Sequence, residues 1–178
     1  MSRVMVGLAV TAMVAVGLGG AASTAGAVGA APVASAAHRE PVPDVIKVPD
    51  GNRRIALMPA RGVQTYQCTA GAWVFVQPDA ILRNHGVAEV LHTKGPVWTD
   101  VRDGSSVTAT AAANSPVPNA IPQLLLKATG NRGPGTLAAV TYVQRLDTTG
   151  GVAPTTTCTD GTTASVPYTA DYAFWVAS

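Results

Sequence analysis

The stretch Tyr168-Thr169-Ala170-Asp171-Tyr172-Ala173-Phe174-Trp175-Val176 decides how this chain folds. Side chains alternate across a strand, so Tyr172, Phe174 and Val176 share one face while Asp171, Ala173 and Trp175 take the other. Large apolar residues at every second position follow the strand period rather than the helical one. Upstream, Gly62-Val63-Gln64-Thr65-Tyr66-Gln67-Cys68 alternates in the same way, Thr69-Ala70-Gly71 makes a turn, and Trp73-Val74-Phe75-Val76 returns as a hairpin strand ended by Pro78. Residues 87–91 and 97–101 read as short strands around Lys94-Gly95-Pro96. Asp103-Gly104 is a strong turn dipeptide, and residues 106–110 return as another strand. Residues 114–118 read as a loop, and Leu124-Leu125-Leu126, within the apolar stretch 121–128, fits a strand or a single helical turn. Residues 136–146 are the longest strand candidate, closed by Asp147-Thr148-Thr149-Gly150-Gly151, and 155–163 form a polar loop around Cys158. Short strands between frequent Gly and Pro turns imply an all-β fold, an antiparallel β-sandwich or barrel.

Composition supports that class. Only 12% of the 178 residues are charged, too few for the polar faces of a helical bundle. Formal net charge is +2, which gives no basic field for nucleic acid. A hydrophobic content of 47% with weak charge favours collapse over disorder.

The N-terminus has the layout of an export signal: a short basic start ending at Arg3, an apolar run over residues 4–18, then small residues. Ala25-Gly26-Ala27 and Ala34-Ser35-Ala36 both fit the cleavage rule, and the second is preferred because charged, Pro-rich sequence starts at His38-Arg39-Glu40-Pro41. The reading is therefore a signal peptide over 1–36, an extended N-terminal arm over 37–52 and a single β-rich domain over 53–178. The product is secreted and extracellular, with no membrane insertion after cleavage. No Cys follows the apolar run to carry a lipid anchor. Cys68 and Cys158, the only two cysteines, lie about ninety residues apart in a chain bound for an oxidising compartment, which predicts one structural disulfide. A redox or metal role would need closer spacing.

No catalytic, metal or cofactor motif stands out. His85, Glu89 and His92 miss the His-Glu-x-x-His spacing and read as two surface histidines beside turns, so no metal site is assigned. His92 with Asp100 or Asp103 and Ser105 or Ser106 can be drawn as a triad, but there is no Gly-x-Ser-x-Gly elbow. Asp100 with Asp171 can be drawn as a sugar-hydrolysing carboxylate pair. The aromatics read first as core pillars. If some instead line an open face, Trp98 and Trp175 are the residues to test, with His92 and Asp100 completing a candidate ligand face.

Across the domain, several pieces resemble a family known only as the domain of unknown function thirty-four fifty-five, found in secreted bacterial and fungal proteins. They are Gly62-Val63-Gln64 with Tyr66 and Cys68; His92, Gly95-Pro96 and Trp98; Asp103-Gly104-Ser105; Val143-Gln144-Arg145-Leu146 with Thr148 and Gly150-Gly151; Ala153-Pro154; Cys158; and Val166-Pro167-Tyr168 with Ala170-Asp171-Tyr172. Gln123 departs from the family pattern, which prefers Trp there. The resemblance implies domain extent and secretion without a mechanism. Some family members carry the label malate dehydrogenase. Gly17-Leu18-Gly19-Gly20, the only Gly-x-Gly cluster near the start, lies inside the export signal and opens no βαβ unit, so an NAD-dependent dehydrogenase is not supported.

The functional expectation is an extracellular binding or structural module without a cofactor. Its ligand is unknown, with carbohydrate or a cell-surface component as the classes considered. The alternative is a small secreted hydrolase, acting on carbohydrate, with its site near His92 and Asp100.

Overall fold

The alternation seen in the sequence builds eight strands in the computed structural model, which describes residues 41–178. They are β1 (Asn52–Thr69), β2 (Ala72–Asn84), β3 (Val87–Thr93), β4 (Val97–Asp100), β5 (Ser106–Val117), β6 (Ala120–Arg132), β7 (Val140–Gly150) and β8 (Thr163–Ala177). Every neighbouring pair is antiparallel, and β8 pairs back onto β1 to close an up-and-down barrel. All-β is correct, and of the sandwich and the barrel it is the barrel that forms. The export signal over 1–36, its cleavage sites and the Gly17–Gly20 cluster lie outside the described residues.

Strand lengths differ from the sequence reading for physical reasons. β1 begins well before Gly62, because Arg53, Arg54 and Pro59 break the apolar alternation without breaking the ladder to β8. β2 runs through Pro78, which pairs with Gln64 at a level where β3 has not yet joined, so the missing N–H costs β3 no bond. Residues 114–117 are strand rather than loop, held to β6 through three register shifts. Residues 136–139 are a turn, and β7 instead continues through 147–150 by a bulge at which Asp147 adopts φ 49°. Leu124-Leu125-Leu126 is strand.

Inward-facing Met58, Leu82, Val107, Val143 and Phe174 fill the barrel core. Gly62 is required where β1 and β2 close up, since a Cβ there would lie 2.5 Å from the Ala80 Cα and closer still to the Asp79 carbonyl. A second cluster sits on the outer face. There a single 3-10 turn, Asp44–Ile46, drives the fully buried Ile46 onto Leu125, Leu146 and Ala173. Gln144 Nε2 donates to the Ile46 carbonyl at 2.7 Å. The described part of the expected extended arm is thus a packed strap.

The two barrel ends are built differently. At the base, Leu137 from the β6–β7 connection is fully buried as a plug. Asp103 accepts from the Ser105 N–H and hydroxyl and from the Thr136 N–H, and these bonds hold its carboxyl well below the usual range. Ser105 Oγ in turn accepts from the Leu137 N–H at 3.0 Å. At the rim, the Cys68–Cys158 disulfide ties the long β7–β8 connection to the end of β1. The same connection accepts from Trp73 Nε1 at Thr156 and from the Tyr66 hydroxyl at Gly151.

One side of the wall is low. β3 and β4 have only 7 and 4 residues. β2 pairs with β3 only from Ala80 onward, and β5 pairs with β4 only up to Thr108. Residues 72–79 and 110–117 therefore have no ladder partner on that side, and the turn Lys94-Gly95-Pro96 forms a sill between them.

Candidate functional site

Behind that sill, the rim half of the barrel holds a cavity of about 580 Å³, within the range of small-molecule sites. Its lining combines apolar side chains such as Phe75, Ile121, Leu124 and Leu126 with Gln64, His92, Trp98, Arg145 and Tyr172, and Lys94 stands at the sill. The placement follows from alternation and register. Gln64 and Tyr66 lie on the inward face of β1, Arg145 is opposite both Leu124 and Tyr172, and His92 is opposite Trp98 on the β3–β4 ladder.

His92 and Trp98 form one wall. Their rings stack with centroids 4.3 Å apart and planes 1° from parallel, and Tyr172 meets both edge-on. His92 Nδ1 lies 3.0 Å from the Val97 carbonyl, which can only accept, so Nδ1 carries the proton. Burial pulls the His92 pKa down to about 4, leaving a neutral ring with Nε2 as an acceptor at pH 7. Burial likewise pushes the Tyr172 and Tyr168 phenols up, and their hydroxyls lie 3.3 Å apart.

Arg145 forms the opposite wall. Its Nε and Nη2 donate to the Pro122 carbonyl at 3.0 and 2.9 Å, which fixes the guanidinium plane. Only two of its five N–H groups are used in those bonds. Two further donors have no partner: the Gln64 amide nitrogen and the Trp98 indole nitrogen, on residues 2% and 1% exposed. A buried donor left unpaired costs about 1–3 kcal/mol.

Of the four residues expected to form a ligand face, only His92 and Trp98 line this cavity. Asp100 is buried and committed to Arg102, accepting from its backbone N–H, Nε and Nη2, and the Arg102 guanidinium holds its carboxyl below the usual range. Arg102 also pairs with Glu89 at 2.9 Å. Trp175 points outward, donating to Gln144 Oε1 beside the Ile46 strap. The expected four-residue face does not form, because β4 carries Trp98 and Asp100 at different depths and β8 turns Trp175 outward. The candidate triad is not assembled either: His92 is bonded to Val97, and Ser105 and Asp103 belong to the base. His92 is a core residue rather than a surface histidine, and only His85 is exposed in a turn. Among the described residues no group of three His, Cys, Asp or Glu side chains could hold a metal ion.

The family model for proteins of unknown function termed DUF3455 matches residues 85–176, just over half of the chain. The chain belongs to the DUF3455 family. No curated protein and no solved structure matches it. The DUF3455 match runs from the β2–β3 turn through β8, so it contains His92, Trp98, Arg145 and Tyr172 and leaves out Gln64 and Cys68. Gln123 accepts from the Asp147 N–H at 3.2 Å and so closes the β7 bulge. Gln64, Arg145 and Tyr172 were not singled out from sequence as site residues. The available signal was a long polar side chain on an otherwise apolar inward face.

Proposed function

We propose that this chain is an exported barrel that binds a small apolar molecule in its interior. The observation that carries the reading is the rim cavity of about 580 Å³, apolar in most of its lining yet furnished with buried donors that no protein group satisfies. Its mostly apolar lining faces water until something fills it. A sugar-stacking surface is less favoured, because Trp98 is buried and Trp175 faces Gln144. Export is supported by the N-terminal signal pattern and by the disulfide, which suits an oxidising compartment. The barrel is apolar inside and carries Arg61, Arg83 and Lys127 outside, the reverse of a membrane-spanning barrel and in keeping with a water-soluble carrier.

Titration with the neutral dye N-phenyl-1-naphthylamine tests the binding reading. The expected result is a saturable fluorescence rise with one site per barrel, abolished by Leu124→Trp, which fills the cavity. No saturable rise, or one indifferent to that substitution, removes the proposal. Mass spectrometry of culture fluid tests export: the secreted chain should begin near Ala37 and weigh two hydrogens less than its dithiol form.

A further inference from the structure

The cavity's polar groups are unbalanced in a way that points to its contents. Both charged residues in its lining, Arg145 and Lys94, are cations, and no carboxylate lines it. Arg145 has no ion-pair partner among the described residues, and beyond its bonds to the Pro122 carbonyl and its contact with the Tyr172 hydroxyl it still has N–H groups to offer. The two lining side chains with unpaired polar atoms, Gln64 and Trp98, are unpaired as donors. His92 and Tyr168 feel the negative charge of Asp79, whose Oδ2 already accepts from Gln77 at 2.7 Å. A site made of surplus donors with net positive charge calls for an acceptor bearing negative charge, and a planar guanidinium fixed at one edge matches a planar carboxylate.

We infer that the barrel takes an apolar monocarboxylate, its carboxylate held by Arg145 and its apolar body against Phe75, Leu124 and Leu126. The inference rests on the reading of the barrel as a container and adds the chemical class of what it contains. Lys94, exposed on the sill of the low wall, places a positive charge on the approach and favours the arrival of anions over cations.

Three amphiphiles of equal chain length separate this inference from the reading beneath it: decanoate, 1-decanol and decyltrimethylammonium, each titrated by displacement of N-phenyl-1-naphthylamine at pH 7.5. Decanoate should bind at least about tenfold more tightly than 1-decanol, the ratio expected of one charge-assisted hydrogen bond, and the cation should bind weakest. Arg145→Gln should bring decanoate to the level of 1-decanol. Should Arg145→Gln fail to fold, the comparison of decanoate with 1-decanol on the unaltered protein decides alone. Equal binding of decanoate and 1-decanol overturns the carboxylate inference and leaves the container reading standing. Failure of the dye and all three amphiphiles overturns both.

Discussion

His92 illustrates how burial converts an ordinary titratable residue into a stability switch. Its ring is stacked on Trp98, faces Tyr172 and has the Arg145 charge nearby, so protonation within the fold is opposed first by desolvation. The folded pKa of about 4 lies below the unfolded value of about 6.5, so the unfolded chain takes up the proton first as the solution is acidified. Stability linked to His92 is fully present above pH 6.5 and is lost as pH falls toward 4, by about 3 kcal/mol in all. Urea unfolding of the wild type and His92→Phe at pH 7 and pH 4 checks this. The variant keeps an aromatic ring on Trp98, and its stability difference between the two pH values should shrink by about that amount. An unchanged difference would falsify the assignment of the switch to His92. At this scale the sequence was partly legible. His92 and Trp98 stood out as rare side chains beside a turn, whereas Gln64 and Arg145 did not, because the cavity they share exists only once eight strands have closed. Asp100 was misleading for the same reason, since its partner Arg102 lies two residues away and satisfies it locally.

Among the elements, the strap at Asp44–Ile46 shows how few residues can seal a sheet surface. Ile46 is the one fully buried residue of its turn, and it covers Leu125, Leu146 and Ala173 on strands whose other faces point into the barrel. Ile46→Ala should destabilise the protein by about 2–5 kcal/mol, the range for a buried aliphatic truncation. Hydrogen exchange should show the loss on β6 to β8 rather than on β2 and β3. Uniform exchange behaviour in the variant would mean the strap adds nothing. Strand existence was readable from alternation and turn dipeptides, most clearly for residues 168–176. Strand ends were not. Three register shifts let β5 carry Asn114, Ser115 and Pro116, and a bulge lets β7 absorb Asp147, so residues that look like turns are accommodated inside strands.

For the whole molecule, the disulfide encloses most of the barrel, joining residues with a sequence separation of 90. Closing a loop that long removes unfolded-state entropy worth roughly 4–5 kcal/mol in the chain-entropy model. Reduction, or Cys68→Ala with Cys158→Ala, should therefore lower the unfolding free energy by about that much, as read from urea midpoints with and without reductant. Coincident midpoints would show that the link contributes no stability. The pairing and the all-β class were evident from the sequence, but a closed barrel and a sandwich share the same alternation, and only the β1–β8 pairing separates them. The short β3–β4 hairpin has a final consequence. Containers sealed on every side must breathe before they load, and their uptake is limited by that opening. On the reading proposed above, the notch beside the hairpin would let a molecule slide in and leave its tail protruding, so that uptake would follow diffusion rather than an opening of the wall.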